Sequence, residues 1–232
     1  MPSIIITTDG SHSLTSLYFQ ENYHSINGAL EESRHVYIEA GLNCVLQQNK
    51  TEVKIFEIGF GTGLNAYLTL VETQHFASKI LETQIIPSVS VKYCGIEPYP
   101  IEEEIFTKLN YPEILNYSAD LFLQLHTQIP SSEYVKISEN FSFSKIFSTV
   151  EAVDMKEKFD LIYFDAFAPT TQPELWSEEV LQKMYDSLNS GGVLVTYCAK
   201  GSFRRALKSV GFTVERLPGA AGKREMTRAI RI

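Results

Sequence analysis

Residues 54–65 read Lys-Ile-Phe-Glu-Ile-Gly-Phe-Gly-Thr-Gly-Leu-Asn: an apolar strand closed by Glu57 and Ile58, then three alternating glycines and a helix-like run. Glycine adopts backbone angles and permits close approaches that a Cβ forbids, so Gly59, Gly61 and Gly63 mark a tight strand-to-helix turn. A turn of this kind brings backbone N–H groups toward a ligand. The spacing departs from the dinucleotide fingerprint G-x-G-x-x-G, because the third glycine comes one residue early and an acid stands two residues before the first. Taken alone, the glycines also fit an ordinary turn between a strand and a helix.

The rest of the chain supplies the partners of that unit. A helical run from Leu64 to Phe76 leads to the strand Val91–Glu97, closed by Pro98, and strand–helix–strand is the unit of a parallel sheet. A strand pair is expected at Tyr134–Ile137 and Phe141–Ile146, with its turn at Ser138-Glu139-Asn140. Lys158–Asp165 is a nearly continuous apolar run, as a buried parallel strand requires, and places Asp165 at its carboxyl edge. Gly191-Gly192 is expected to stop the helix Glu178–Leu188 and launch the strand Val193–Cys198. Ser202–Val210 reads as a basic amphipathic helix ended by Gly211. Phe212–Leu217 and Met226–Ile232 read as strands around the loop Gly219-Ala220-Ala221-Gly222. The pattern predicts an α/β, Rossmann-like fold, mostly parallel, with helices on both faces. Residues 1–232 read as one domain, with 1–45 an N-terminal hairpin and helix over the substrate side of the sheet and about 98–147 an insertion of helices and a small hairpin.

At 232 residues the chain can bury roughly 70–75% of its unfolded surface, enough for a sizeable core. Cys44, Cys94 and Cys198 have no paired spacing, so no disulfide framework or metal site is implied. The N-terminus lacks a basic, then apolar, leader and no run of 18 apolar residues occurs, so the chain is expected to be soluble, cytoplasmic and without a membrane partner. The net charge of −8 is unevenly placed: residues 200–232 hold nine basic and two acidic residues, a net +7, leaving −15 for the rest. That asymmetry suits a local phosphate-binding patch on an acidic body, or a solvated basic surface.

The form E-x-G-x-G-x-G resembles motif I of the S-adenosylmethionine-dependent methyltransferases. The cofactor it implies carries a sulfonium and an amino acid tail, and a carboxylate near the loop suits it where a pyrophosphate would be repelled. Ligands of open α/β sheets bind outside the carboxyl ends of the strands at the switch point, where the glycine loop, Glu97 and Asp165 all fall. Glu97 is placed to accept from ribose hydroxyls. Asp165 can take or orient the proton of an amine acceptor, and Phe167 can pack on a flat acceptor such as a base. The alternative for Glu97 is an exposed strand-end acid, and for Asp165 a turn cap ahead of Pro169. Trp176, His24 and His35 read as packing or hydrogen-bonding residues rather than catalysts.

Several segments together resemble the tRNA 5-methylaminomethyl-2-thiouridine methyltransferases, the methyltransferase half of the MnmC-type bifunctional enzymes. They are Tyr23-His24-Ser25 with Gly28-Ala29 and His35-Val36, the loop from Glu57 to Asn65, Phe164-Asp165-Ala166-Phe167-Ala168-Pro169 with Pro173-Glu174-Leu175-Trp176, and Gly222-Lys223-Arg224-Glu225-Met226. The resemblance implies a class I, seven-stranded sheet with an antiparallel C-terminal strand, and methylation of the aminomethyl group on a tRNA wobble uridine. It implies Asp165 and Phe167 at the acceptor, with Glu57, Gly59, Phe60, Gly61, Thr62, Gly63, Asn65 and Glu97 around S-adenosylmethionine. Arg204, Arg205, Lys223 and Arg224 are expected on tRNA phosphates. The chain ends after the presumed last strand, so it reads as a stand-alone form that binds no FAD and no metal and works with a separate flavin-dependent oxidase acting upstream. Phe141–Ser148 lacks the acid that many members carry near the adenine, so no adenine partner is assigned. Three other readings stay open: an aminopropyltransferase of the spermidine synthase kind, which shares the loop and both acids, a small-molecule methyltransferase, and a non-catalytic tRNA-binding module.

Overall fold

The computed structural model describes residues 2–83, 89–155, 158–220 and 222–232. Ala221, part of the expected glycine-rich loop, lies outside the described residues. The chain opens with an antiparallel hairpin of β1 (Ser3–Ile6) and β2 (His12–Thr15). A helical rod follows, built from α1 (Ala29–Ser33), a π-helical stretch (Arg34–Leu42) and α2 (Asn43–Leu46). Then come β3 (Glu52–Ile58), α3 (Leu64–Thr83), β4 (Ser90–Ile96) and three short helices, α4 (Glu103–Phe106), α5 (Tyr111–Leu115) and α6 (Ala119–Thr127). The second half holds β5 (Ser131–Ser138), β6 (Phe141–Ile146), β7 (Phe159–Phe164), a 3₁₀ turn (Pro173–Trp176), α7 (Glu178–Ser187), β8 (Leu188–Thr196), α8 (Gly201–Ser209), β9 (Thr213–Pro218) and β10 (Glu225–Ile230).

The main sheet has the order β5-β6-β4-β3-β7-β8-β10-β9. The five inner strands β6, β4, β3, β7 and β8 are mutually parallel, while β10 is antiparallel to β8 and to β9. The sheet therefore has eight strands, one more than expected, because β5 adds antiparallel to β6 at the edge. Phe141–Ile146, expected in an inserted hairpin, is instead an inner strand paired residue for residue with β4. Its alternate residues Phe141 and Phe143 are buried against Tyr93, which commits it to the sheet.

The connections run outward in one direction from β3 and in the other from β7, so the switch point lies between these neighbours. All six residues of β7 are buried, which explains its unbroken apolar run. One core cluster, with Val36, Tyr37, Leu68 and Tyr163, fills the face under the rod and α3. The other, with Phe164, Leu181, Leu194 and Phe203, fills the face under α7 and α8. Each fully buried side chain of this size stabilises the fold by about 1.5–3 kcal/mol. The rod lies close on the sheet at Gly41, where an added Cβ would stand 3.0 Å from a Val195 methyl and 3.2 Å from the Tyr163 ring.

Helix α7 does not run to the glycine pair. It starts at Ser177, whose Oγ accepts from Val180 N at 3.4 Å, and stops at Ser187 because Leu188 turns extended and pairs with Phe159 of β7. Gly191, at φ 76°, instead serves an irregularity inside β8. No helix among the described residues is long and apolar enough to cross a membrane.

Candidate active site

The glycine loop sits between β3 and α3 with Gly59, Gly61 and Gly63 all at positive φ (87°, 49° and 74°). A Cβ on Gly59 would lie 2.3 Å from the Asp165 carbonyl oxygen, so only glycine lets the loop pass the end of β7. The loop amides are largely spent within the protein, which corrects the expectation that they face a ligand. Gly59 and Phe60 both donate to Ile96 O at 3.1 Å, Gly63 donates to Phe60 O at 2.8 Å, and Gly61 donates to Glu97 Oε2 at 2.9 Å. The glycines thus supply close approach rather than a cradle of donors. The Phe60 ring packs inward on Phe143 and His126, and the Thr62 hydroxyl accepts from Tyr111 at 3.1 Å, so these two border the site through their backbone.

Glu97 follows β4 and is 8% exposed. Its Oε1 accepts from Tyr99 N at 2.9 Å, and with the Gly61 bond this aims the carboxylate along the loop. Burial raises its pKa against the pull of those two amides. Glu57 is fully buried, and burial, with Asp165's charge next, holds its carboxyl well above the usual range. Asn65, at the start of α3, stands between the two acids: its Nδ2 donates to Glu57 Oε1 at 3.0 Å and to Asp165 Oδ2 at 2.8 Å.

Asp165 continues the ladder one step past β7, its amide donating to Ile58 O at 3.0 Å. Burial pushes its carboxyl pKa up to about 7 and the charge of Glu32 adds to the rise, while Tyr37, Asn65 and the Lys223 ammonium oppose it. The loop beyond is fixed from behind. Trp176 Nε1 donates to Phe167 O at 2.9 Å, Gln172 Oε1 accepts from Phe167 N at 3.2 Å, and Tyr197 donates to Ala166 O at 2.7 Å. Trp176 is itself buried against Phe164 and Phe203, the anchoring role expected of it. Phe167 presents its ring beside Phe19 and Tyr23, with centroids 4.7 and 5.2 Å away. Gly59, Asn65, Glu97, Asp165, Phe167 and Lys223 line one cavity of about 340 Å³.

His24 and His35 act as hydrogen-bonding residues. Enclosure holds the His24 imidazole down to about 4, hence neutral, beside Ser13 Oγ at 3.0 Å, and His35 Nε2 lies 2.8 Å from Pro218 O. The expected basic set divides. Arg204 is 6% exposed and its guanidinium is spent on Thr227 Oγ1 (3.0 Å), Glu225 (2.6 Å) and Met226 O (2.9 Å), so it ties α8 to β10 and offers nothing to a phosphate. Lys223 is half-buried in the cavity wall, paired with Glu32 and 4.3 Å over the Tyr197 ring. Arg205 and Arg224 are exposed. Arg224 joins Lys200 and Arg216 around a shallow groove that meets the cavity at Ala168, Tyr197 and Lys223. Glu32, Tyr37 and Tyr197 are site residues that motif reasoning did not assign.

These residues fit the implied cofactor. A loop without room for side chains, ending beside the Glu97 carboxyl, suits a nucleoside with free hydroxyls. Glu97 would hold hydroxyls and Asn65 would face the polar end of the ligand, while Glu57, fully buried and outside the cavity lining, acts on it only by holding Asn65.

Comparison with known proteins agrees. A family model described as S-adenosyl-L-methionine-dependent methyltransferase matches residues 112–232. The chain is 29% identical over 215 residues to the tRNA 5-methylaminomethyl-2-thiouridine biosynthesis bifunctional protein MnmC of Campylobacter hominis, covering 91% of this chain and 30% of that protein. It is 29% identical over 234 residues to the protein of that name in Aromatoleum aromaticum, covering 97% and 34%. The chain therefore spans about a third of the length of these curated relatives. The fold matches the crystal structure of MnmC2 from Aquifex aeolicus with a TM-score of 0.78 at 24% identity, over 100% of this chain and 70% of that one. It also matches spermidine synthase from Thermotoga maritima at a TM-score of 0.55 and 15% identity, over 100% and 72%. With the glycine loop, Glu97 and Asp165 gathered at the switch point, and a family model covering more than half of its length, the chain belongs to the S-adenosyl-L-methionine-dependent methyltransferases.

Proposed function

We propose that this methyltransferase acts on the 5-aminomethyl group of a tRNA wobble uridine, giving 5-methylaminomethyluridine, with residues 1–232 working as one catalytic unit. The observation that carries the reading is Asp165, a carboxylate held at about 7 at the edge of a cavity walled by Phe19, Tyr23 and Phe167. The relatives named for tRNA 5-methylaminomethyl-2-thiouridine biosynthesis support it.

S-adenosylmethionine, when bound, supplies an electrophilic methyl group on a sulfonium. The chain's own part is to hold an uncharged amine in line with that methyl and to receive its proton. An alkylamine is mostly protonated at neutral pH, and a carboxylate near 7 is basic enough to accept a proton while remaining about half ionised there. Asn65 keeps Asp165 Oδ2 hydrogen-bonded and so fixes the orientation of the carboxylate at the cavity edge. Phe167, braced by Trp176 and Phe19, gives the uracil ring a flat wall. Positioning of this kind and proton acceptance each lower the barrier, the latter by about 10²–10⁴ in rate.

The relatives are named as bifunctional, and in this reading a flavin-dependent oxidation acts upstream, in the cytoplasm, to expose the amine. The test is incubation with methyl-labelled S-adenosylmethionine and three acceptors: tRNA bearing 5-aminomethyluridine, the same tRNA with unmodified uridine, and a small polyamine. Label in the first alone supports the reading. Label in the polyamine, or none in any acceptor, overturns it.

A further inference from the structure

Two exposed tyrosines stand at the mouth of the cavity. Tyr18 is 81% exposed and Tyr99 50% exposed, and their rings stack on each other with centroids 5.6 Å apart and planes 26° from parallel. Phe19 meets Tyr99 edge-on at 6.2 Å and Phe167 at 4.7 Å, so aromatic rings run without a break from the acceptor wall to the surface.

The segment that displays them is built, not loose. Ser16 N donates to Glu21 O at 2.8 Å and Gln20 N to Ser16 O at 3.0 Å, Ser16 Oγ accepts from Phe19 N at 3.2 Å, and Gln20 takes the left-handed φ of 51° that closes the turn. Glu21 accepts from Thr171 on the loop that carries Phe167, at 2.5 Å, which ties the two sides of the mouth together. Solvent exposure on this scale for a large ring held by a fixed backbone leaves the outer face of Tyr18 open. Elsewhere on the mouth, the groove of Lys200, Arg216 and Arg224 provides positive charge on an otherwise acidic chain.

We infer that the Tyr18–Tyr99 pair is a stacking platform for an unpaired RNA base next to the methylated nucleotide, with the basic groove tracking the backbone of the same strand. This rests on the tRNA reading above and adds how the loop is held open. A nucleotide must leave its stack to reach Phe167, and a flat ring at the rim replaces the stacking that its neighbour loses. A folded protein partner would have little use for a groove of this charge running into a cavity.

The probe is an anticodon stem-loop carrying 5-aminomethyluridine, titrated onto the full chain by anisotropy across a salt series. Tyr18→Ala should weaken binding about 5- to 150-fold at every salt concentration with an unchanged slope of log K against log salt, because stacking releases no counterions. Tyr18→Phe should bind like wild type, and Tyr18→Trp should report loop binding as quenched indole fluorescence. Arg216→Ala should do the reverse, shallowing the slope by about 0.7–0.9. The platform is overturned if Tyr18→Ala binds the stem-loop as wild type does, if it weakens a blunt duplex equally, or if it loses affinity for S-adenosylmethionine, which would put the ring on the cofactor. Failure of the platform leaves wild-type methyl transfer to the tRNA intact. Failure of the substrate reading shows instead as wild-type protein that transfers no methyl group, and wild-type protein that does not bind the stem-loop overturns both.

Discussion

Asn65 donates from one amide nitrogen to both Glu57 Oε1, at 3.0 Å, and Asp165 Oδ2, at 2.8 Å, and so links a buried acid to a half-buried one. Loss of that donor removes a hydrogen bond that favours the ionised form of Asp165 and leaves the effects of burial and Glu32 unopposed from that side. A hydrogen bond to a charged group contributes about 1.5–3 kcal/mol, or about one to two pKa units. Asn65→Ala should therefore move the acid limb of the methylation rate upward from about 7 by about that amount. A limb that stays in place would separate Asn65 from the proton chemistry.

Asp165→Asn should leave S-adenosylmethionine affinity within a few-fold of wild type and stabilise the fold. The carboxyl pKa is raised on folding, so the native state binds the proton more readily than the unfolded chain. Wild-type stability then falls as pH rises through the window between the ordinary carboxylate value and about 7. The Asn variant lacks that loss, so its melting temperature should exceed wild type at about pH 8 and approach it at about pH 4. Equal melting curves at both pH values would show that Asp165 ionises without strain.

Glu97→Ala should weaken S-adenosylmethionine binding by roughly 10- to 150-fold, the loss of about 1.5–3 kcal/mol that one charge-assisted hydrogen bond contributes. Part of that effect is indirect, because the same carboxylate accepts from Gly61 N and Tyr99 N and shapes the loop. Glu97→Gln, which keeps an acceptor oxygen, should fall between. Calorimetric titration of a folded Glu97→Ala protein with wild-type affinity would remove the residue from the site.

The legible part of this site lies where chemistry is written in consecutive residues. The alternating glycines, Glu97 ahead of Pro98, and Asp165 closing an apolar strand each carry a local signature, and parallel pairing brings their strand ends to one edge. Glu32, Tyr37 and Tyr197 have none, and the run that holds Lys223 does not show that its ammonium turns into the cavity wall. Lys223 meets Glu32 across 191 residues, through the seating of the rod and the β9–β10 loop on the sheet, which no short window reveals. Arg204 shows the opposite failure. Its charge suggested an outward role, yet it follows buried Phe203 and precedes buried Leu207 by one helical turn, a position facing β10. Both strands of the pair at Tyr134–Ile137 and Phe141–Ile146 were legible, but their place in the main sheet was not, because β5 is mostly exposed and only the pairing of β6 with β4 commits the pair to the sheet.

The two arginines should behave differently under substitution. Arg204→Met breaks the contacts to Thr227, Glu225 and Met226 and should lower the melting temperature by several degrees while leaving the salt dependence of tRNA binding unchanged. Arg224→Ala should leave the melting temperature alone and shallow the slope of log K against log salt by about 0.7–0.9. Filter binding in which Arg204→Met alone changes the slope would reverse this assignment.

If Asp165 takes the acceptor's proton, its titration governs the pH dependence of single-turnover methyl transfer at saturating tRNA and cofactor. Between about pH 5 and about pH 9 the wild-type rate should rise with an inflection near 7, the value to which burial raises the carboxyl, while any limb belonging to the amine itself appears in every variant. Asp165→Asn should lose the inflection near 7 and run about 10²-fold slower or more above it. A variant that keeps both the wild-type rate and the wild-type inflection would return Asp165 to the role of a turn-forming acid at the end of β7.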